Sequence, residues 1–461
     1  MEYRILFDFG STFTKAAVIC KEEKAVVFTT RHPSTVKEDA RIAMKACLSD
    51  IRRAIGGSAA DRAEKYASSS AAGGLRIVVV GLTYNLSISA GRNAAFGAGA
   101  KIIHVTSGAL TKEEIEKIEG LPAEMILLCG GYENGNQTII RHNAEMIAQS
   151  QISCPVIYGG NSQVAQEIRA KLLQNKKECF QAPNIIPQVG VLDIDVAEEI
   201  IRHLFMNRIV DMKGLGDIIK LVDGPIVPTP AAVLDAGLLM SQGITGHDGL
   251  GELMLVDIGG ATTDIHSYAE HTSYEGARLV GADEPYARRT VEGDLGMRES
   301  SDVLVRELGM EFFANEIGVP EEVLEKSISY RVHNTKFLPG TSLEKRIDQI
   351  IAESAAYLAA RRHAGVIEHK SSNYCRRIQH GKNLTHVRTI IGTGGPIINS
   401  ENPEAILKHV LRRKKGEKDA LLPSAGDFVV DRDYILYAVG LLSYVDKDLA
   451  FAVGMNSIIK K

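Results

Sequence analysis

The sequence predicts an α/β protein in which two strand-and-turn modules flank a doubly wound α/β insertion. Three observations carry this. Ile5-Leu-Phe-Asp-Phe-Gly-Ser-Thr-Phe-Thr-Lys15 and Leu255-Val-Asp-Ile-Gly-Gly-Ala-Thr-Thr-Asp264 say nearly the same thing 249 positions apart (257 minus 8). Between about 75 and 192, short apolar runs alternate with helix-like stretches, the pattern of a parallel sheet with crossover helices. With 461 residues the chain is too long for one core, since a domain takes roughly 150.

Taken in order, residues 4–9, 14–20 and 25–29 read as a β-meander with a polar turn at 21–24. Residues 36–56 read as a helix with Ile42, Ala43, Cys47 and Ile51 on its apolar face. The insertion follows, with strands at 76–81, 101–106, 125–130, 154–159 and 184–189. Helices are expected at 87–96, 112–119, 143–150 and 161–174. No G-x-G-x-x-G run accompanies these strands, which argues against a dinucleotide site. Residues 196–222 look helical, and Thr229 and Pro230 suit the start of a helix over 231–240. After the second Asp-x-Gly segment come a mixed stretch, a helix over 343–362, a strand at 387–391 and a last helix over 434–445.

Composition excludes several classes. A net charge of −4 gives no electrostatic reason for nucleic-acid binding, and the basic run 412–418 reads as a solvated helix end. Cys20, Cys47, Cys129, Cys154, Cys179 and Cys375 form no C-x-x-C pair, so buried free thiols are expected rather than zinc or iron–sulfur ligands. The apolar runs are far shorter than the ~20 residues of a membrane span. There is no basic, apolar leader pattern, and a cytoplasmic protein is expected.

The chemistry suggested by the doubled segment is phosphate handling. A strand running into a glycine turn presents backbone N–H groups with nothing bulky to stop a phosphate oxygen. An Asp at the strand end supplies a carboxylate for Mg²⁺, directly or through water. Asp257-Ile-Gly-Gly-Ala-Thr-Thr-Asp264 is the more specific of the two. Pro230-Ala-Ala-Val-Leu-Asp-Ala-Gly237 is a small-residue helix that suits either close packing or a crossing point between moving domains. Ile390-Ile-Gly-Thr-Gly-Gly-Pro396 is a glycine turn that backbone could use to approach a flat base, and Tyr437-Ala-Val-Gly-Leu441 is a second small-residue helix.

The order of these parts resembles the actin, Hsp70 and sugar-kinase ATPase superfamily over 1–30 and 225–445. A closer resemblance is carried by the run 69–82, Gly97-Ala-Gly-Ala-Lys101, Asn134-Gly-Asn136 with His142-Asn143, Ile258-Gly-Gly-Ala-Thr-Thr-Asp264, and Arg289-Thr-Val-Glu-Gly-Asp-Leu-Gly-Met-Arg298. These resemble the MutL-type accessory ATPases of adenosylcobalamin-dependent glutamate mutase, which are unrelated to mismatch-repair MutL. Cys129-Gly-Gly-Tyr-Glu-Asn-Gly135 departs from the Gly-Gly-Thr-Asp-Gly-Gly type of run that the resemblance leads one to expect.

The resemblance implies an actin-like ATPase with two ribonuclease-H-like lobes. Residues 1–72 and 195–245 would form the first lobe and 246–430 the second. An inserted α/β domain at 73–194 would face the partner, and 431–461 would be a helix returning to the first lobe. It implies a slow Mg²⁺-dependent ATPase acting as a reactivating chaperone, which opens a mutase so that intact cofactor replaces damaged cobalamin. Partners would be the mutase subunits and ATP or ADP, with self-association left open. Asp8 and Asp257 would hold Mg²⁺. Gly10, Ser11, Thr12, Thr14 and Lys15 would meet the phosphates from one side, and Gly259, Gly260, Ala261 and Thr262 from the other. Gly392, Thr393, Gly394 and Gly395 would flank the adenosine, and Glu292 or Asp294 would orient water. Rival readings are a small-molecule kinase of the same superfamily, a filament-forming relative, and a reactivase whose client is another B12 aminomutase, such as one acting on ornithine.

Overall fold

The computed structural model describes residues 1–459 except 11, 37, 71–74, 211–214, 371–376 and 413–418. Ser11, Cys375, most of the basic run and part of the run 69–82 therefore lie outside the described residues. The chain forms two compact units. Met1–Glu22, Val27–Ala232 and Val280–Pro285 make the first; Glu23–Val26, Val233–Leu279 and Tyr286–Lys461 make the second.

The first unit opens with β1 (Tyr3–Phe9), β2 (Phe13–Cys20), β3 (Ala25–Pro33), α1 (Ala40–Ile55), α2 (Gly57–Arg62) and β4 (Glu64–Ser69). The side chain of Asp39 caps α1 by accepting from the Arg41 amide at 2.9 Å. The buried face of α1 is Ala40, Ala43, Met44, Cys47 and Ile51, whereas Ile42, expected inside, is exposed. Strand β4 was not anticipated, because Glu-Lys-Tyr-Ala-Ser-Ser carries no apolar run.

The insertion contains β5 (Arg76–Gly81), α3 (Ser89–Gly97), β6 (Lys101–Ser107), α4 (Lys112–Glu119), β7 (Met125–Gly130), α5 (Thr138–Gln149), β8 (Val156–Gly160), α6 (Ala165–Gln174) and β9 (Cys179–Gln181). These strands form one parallel sheet in the order β6-β5-β7-β8-β9, the doubly wound arrangement expected. The last strand is three residues long and lies before 184–189, which is not a strand. Pro183 and Pro187 lack ladder donors, and the Asn184 side chain is spent on the Gly131 carbonyl at 2.8 Å. The insertion does not stand alone: Ile5, Phe7 and Val18 share one hydrophobic core with Ile77, Val79, Leu127 and Ile185. Then come α7 (Asp195–Val210), α8 (Leu215–Ile218), β10 (Val227–Pro228) and α9 (Thr229–Gln242), within which the boundary between the units falls.

The second unit begins with the small hairpin β11 (Gly243–Ile244) and β12 (His247–Asp248), followed by β13 (Leu253–Ile258), β14 (Thr263–Tyr268), β15 (Arg278–Val280) and β16 (Ala287–Glu292). Helices α10 (Ser301–Leu308), α11 (Met310–Ile317), α12 (Glu321–His333) and α13 (Ser342–His363) follow. Thr341 and Glu344 start α13 with a reciprocal capping box. The unit ends with β17 (Val366–His369), β18 (Arg377–His380), β19 (Thr389–Thr393), α14 (Gly395–Ile398), α15 (Pro403–Leu407), β20 (Asp427–Val430), α16 (Leu436–Ser443) and α17 (Lys447–Gly454).

The two main sheets share one plan. Their orders are β10-β4-β1-β2-β3 and, read the same way, β20-β19-β13-β14-β16. In each, the Asp-x-Gly strand pairs antiparallel with the next strand and parallel with a later one. That later strand in turn pairs parallel with the edge strand beyond it. This is the duplicated ribonuclease-H-like arrangement of an actin-like ATPase.

Residues 431–461, expected to return to the first lobe, group with the second unit. Asp431 accepts from Thr393 Oγ1 at 3.0 Å and from the Ile435 amide at 2.9 Å, which ties the start of α16 to β19. A methyl at Gly454 would lie 3.4 Å from both Met240 of α9 and Val439 of α16, so α9, α16 and α17 meet there. Both small-residue helices thus meet α17 at this glycine. The described cysteines are free, and burial pushes the Cys129 thiol up to about 12, as expected of inert thiols. No described helix is long and apolar enough to cross a membrane.

Gly237 of α9 receives the ring of Tyr268, whose hydroxyl donates to the Leu234 carbonyl at 2.9 Å. A Cβ at 237 would lie 2.2 Å from that hydroxyl oxygen. Gly237→Ala is therefore expected to lower stability by roughly 1–3 kcal/mol despite the better helix propensity of alanine, read as a lower urea midpoint by circular dichroism.

Candidate functional site

Both Asp-x-Gly segments fold into the same four-residue hairpin. In the first, the Gly10 amide donates to the Phe13 carbonyl at 3.0 Å; in the second, the Gly259 amide donates to the Thr262 carbonyl at 2.9 Å. The flanking pairs correspond one for one: Phe9 faces Thr14 and Asp8 faces Lys15, as Ile258 faces Thr263 and Asp257 faces Asp264. The offset of 249 thus holds on both arms of the hairpin, from 8 and 257 to 15 and 264. A side chain at Gly10 would meet the Phe13 carbonyl at 2.7 Å, so the turn itself requires glycine there.

In the first hairpin Asp8 is almost fully buried. Its carboxylate accepts from Thr229 Oγ1 at 2.6 Å and Ser68 Oγ at 3.2 Å, and pairs with Lys15 Nζ at 2.9 Å. Ser34 fastens the turn from outside, donating its hydroxyl to the Gly10 carbonyl at 2.7 Å and its amide to the Thr12 carbonyl at 2.8 Å. Thr12 is exposed at the tip. Thr14 lies on the other face of β2 from Lys15, beside α1, where its carbonyl meets the Cys47 thiol. Its hydroxyl is buried without a partner. Strand alternation therefore separates Thr14 from Asp8 and Lys15.

In the second hairpin the residue opposite Asp257 is an acid, Asp264. Like charges in directly opposed positions are unfavourable without a counter-charge. Arg289, two residues along β16 from Asp264's partner Val291 and on the same face, supplies one: Nη2 donates to Asp264 Oδ2 at 2.8 Å. Asp264 Oδ1 is buried and has no protein partner. Beside it His266 is buried, and burial reinforced by Arg289 holds its imidazole well below the usual range, hence neutral. Asp264 lies within the sequence motif but outside the site residues read from it. The signal was available, because a four-residue turn followed by strand pairing sets 257 against 264.

The tip of this hairpin is held by the loop after β16. The Met297 amide donates to the Gly259 carbonyl at 3.1 Å. The Arg298 and Glu299 amides donate to the Gly260 carbonyl at 2.8 and 3.0 Å. In a planar trans peptide the carbonyl and the following N–H point in opposite directions. Fixing these two carbonyls therefore aims the Gly260 and Ala261 amides away from the loop, as two consecutive donors suited to an anion. Thr262 is half-buried beside them.

The glycine turn after β19 abuts the same strand. Gly394 has φ +91°, and a Cβ there would lie 2.2 Å from the Ile258 carbonyl and 2.7 Å from Asp257 Oδ1, so only glycine fits. Gly392 is a packing position against Ile397 and Leu407, Thr393 is buried on Asp431, and Gly395 is half-exposed.

Glu292 and Asp294, expected to orient water, sit elsewhere. Glu292 shares the face of β16 with Thr290, whose hydroxyl meets His363 of α13, and that face is opposite to Asp257. Arg362 of α13 binds Glu292 at 2.7 Å, Asp294 at 2.8 Å and Glu307 at 2.6 Å. Burial raises the Glu292 carboxyl against the pull of Arg362; Asp294, although burial pulls it upward, is held lower by the same guanidinium. Both are engaged in an ion-pair network that braces the turn.

A family model described as MutL protein matches residues 4–458. The chain belongs to the MutL family. Over 467 aligned residues it is 36% identical to Protein MutL of Clostridium tetanomorphum, with 100% of each chain covered. This is the MutL that the sequence resemblance named, not the mismatch-repair protein. Two solved structures align with this MutL-family chain at low scores. Ethanolamine utilization protein EutJ from Carboxydothermus hydrogenoformans has a TM-score of 0.29 and 9% identity, over 98% of this chain and 90% of that one. The activator of 2-hydroxyisocaproyl-CoA dehydratase from Clostridium difficile, with bound ADPNP, has 0.30 and 9%, over 97% and 95%.

Removing Arg289 leaves the Asp264 carboxylate buried opposite Asp257. Arg289→Met is expected to cost about 3–5 kcal/mol in urea unfolding, and Asp264→Asn in the same chain to restore much of it.

Proposed function

We propose that this MutL-family chain is an ATP-dependent reactivating chaperone for an adenosylcobalamin-dependent carbon-skeleton mutase, with glutamate (methylaspartate) mutase as the client. The observation that carries the nucleotide part is the second hairpin, where two adjacent amides are aimed outward beside two opposed carboxylates. Family membership supports the mutase part.

The residues fit a hydrated Mg²⁺. The ion keeps several waters and binds through one or two carboxylates together with substrate phosphates. The buried, unpartnered Asp264 Oδ1 suits a water ligand, and Asp257 lies directly opposite. When bound, the ion would screen charge on the phosphates. Asp257 and Asp264 would hold its waters, and Gly260 and Ala261 would donate to phosphate oxygens. Asp8, already committed to Ser68, Thr229 and Lys15, would act by fixing the Lys15 ammonium for a phosphate. Gly394 and Gly395 would border the adenosine. Phosphoryl transfer depends on such positioning more than on a strong base, so slow hydrolysis needs none.

In this reading the nucleotide state changes how the chain grips the mutase, so that damaged cobalamin leaves and intact cofactor enters. The insertion is the client-facing part. Because it shares its core with the first sheet, excising it would expose apolar surface, and surface probes are the cleaner test.

The decisive experiment incubates a hydroxocobalamin-blocked mutase with the protein, ATP, Mg²⁺ and adenosylcobalamin. Activity should recover, and recovery should vanish with Asp257→Ala or Asp8→Ala. No recovery with any B12 mutase rejects the reading; recovery of an aminomutase alone reassigns the client. Photo-crosslinkers at the exposed Tyr84 and Val189 are expected to capture the mutase in a nucleotide-dependent way; capture that ignores ATP argues against this surface.

A further inference from the structure

The loop that aims the Gly260 and Ala261 amides is itself anchored by a buried ionic cluster that phosphate binding does not obviously require. Arg298 is buried with its guanidinium directed away from the turn. Nη2 donates to Asp348 Oδ2 at 2.5 Å, Nη1 to the Met297 carbonyl at 2.9 Å and Nε to the Phe337 carbonyl at 3.2 Å. Asp348, on α13, also accepts from Arg331 Nε at 2.7 Å, and Arg331 is 1% exposed. Both guanidiniums lie over the Phe337 ring, at 5.6 and 4.9 Å from its centroid. Thus α12, α13 and the 334–341 connection converge on one side chain whose own backbone amide holds the Gly260 carbonyl.

The fit around this loop is tight. A Cβ at Gly296 would lie 2.4 Å from the Ala261 carbonyl carbon and 2.7 Å from the Gly260 oxygen. Thr263 Oγ1 donates to the Leu295 carbonyl at 2.7 Å, and Ser300 Oγ accepts the Gly296 amide at 2.8 Å. The loop cannot shift without moving the hairpin tip. A bidentate guanidinium sets direction as well as distance, which an ammonium does not.

We propose that Arg298, clamped by Asp348 and Phe337 and backed by Arg331, is a positioning residue for nucleoside triphosphate: it fixes the carbonyls of the second hairpin so that the Gly260 and Ala261 amides meet the phosphates. The proposal rests on the nucleotide reading above and adds the residue that sets its geometry. Arg298 touches no phosphate itself.

The test uses the full-length protein with ATP and Mg²⁺ as one probe and adenosine as the other. In the unaltered protein, the Gly260 and Ala261 amide resonances should move on adding ATP and stay in place with adenosine. Arg298→Lys and Asp348→Asn should each weaken ATP binding by about tenfold in calorimetry, the worth of a lost charge-assisted geometry, while leaving adenosine affinity unchanged. A purely structural role would lower both affinities together. ATP binding without movement of the two amides, or equal loss of ATP and adenosine in Arg298→Lys, overturns the proposal and leaves the nucleotide reading standing. Failure of the unaltered protein to bind ATP overturns both.

Discussion

A peptide plane has two ends, and committing one end directs the other. This constraint organises the second hairpin. Its carbonyls are surrendered to the 297–299 loop, so its amides must face the opposite way. Everything behind the loop serves that orientation: the Ser300 and Thr263 hydroxyls that brace it, the glycine at 296 that lets it approach, and the arginine–aspartate cluster that pins it to α13. The first hairpin is held more simply, with Ser34 giving its hydroxyl to the Gly10 carbonyl and its amide to the Thr12 carbonyl. The same backbone motif is thus secured once by a single serine and once by a buried ionic cluster.

The two hairpins differ most in electrostatics. At one position the chain places a lysine opposite an aspartate, and at the corresponding position an aspartate opposite an aspartate. The lysine pair is internally neutral. The acid pair is neutralised in part by Arg289, which leaves one carboxylate oxygen buried and unbonded. A duplicated backbone therefore carries an unduplicated charge pattern, a lysine–aspartate pair in one hairpin and an aspartate–aspartate pair beside an arginine in the other.

Much of this was legible in the sequence because it is local. The Asp-x-Gly runs, the period-two strands and the alternating pattern of the insertion are set by neighbours within ten residues, and they folded as expected. Asp264 was within reach of the same reasoning, since hairpin pairing follows from turn length. What was not legible depends on distant partners. Glu292 and Asp294 looked like free acids in a glycine-rich turn, but Arg362 lies about seventy positions on and claims both. Arg298 gave no hint of its role, because Asp348 and Phe337 sit on elements that no periodicity connects to it. The strand expected at 184–189 failed for a local reason that was visible, two prolines in a five-residue span.

The edge strand β10 has a consequence in time. It completes the first sheet by pairing with β4, Val227 with Ser68 and Pro228 with Ser69, across 159 positions (227 minus 68). Everything between must be synthesised before that edge can close. The loop-closure entropy for so long a span is large if the span is a free coil, and much smaller if it has already compacted. The insertion, rich in near-neighbour strand–helix–strand contacts, shortens that span as it compacts against β1 and β2, with which it shares its core, and so brings 68 and 227 together. On this view it also works as a folding tether: a lesion in its parallel sheet would delay the closing of the first sheet's edge, far from the lesion in sequence.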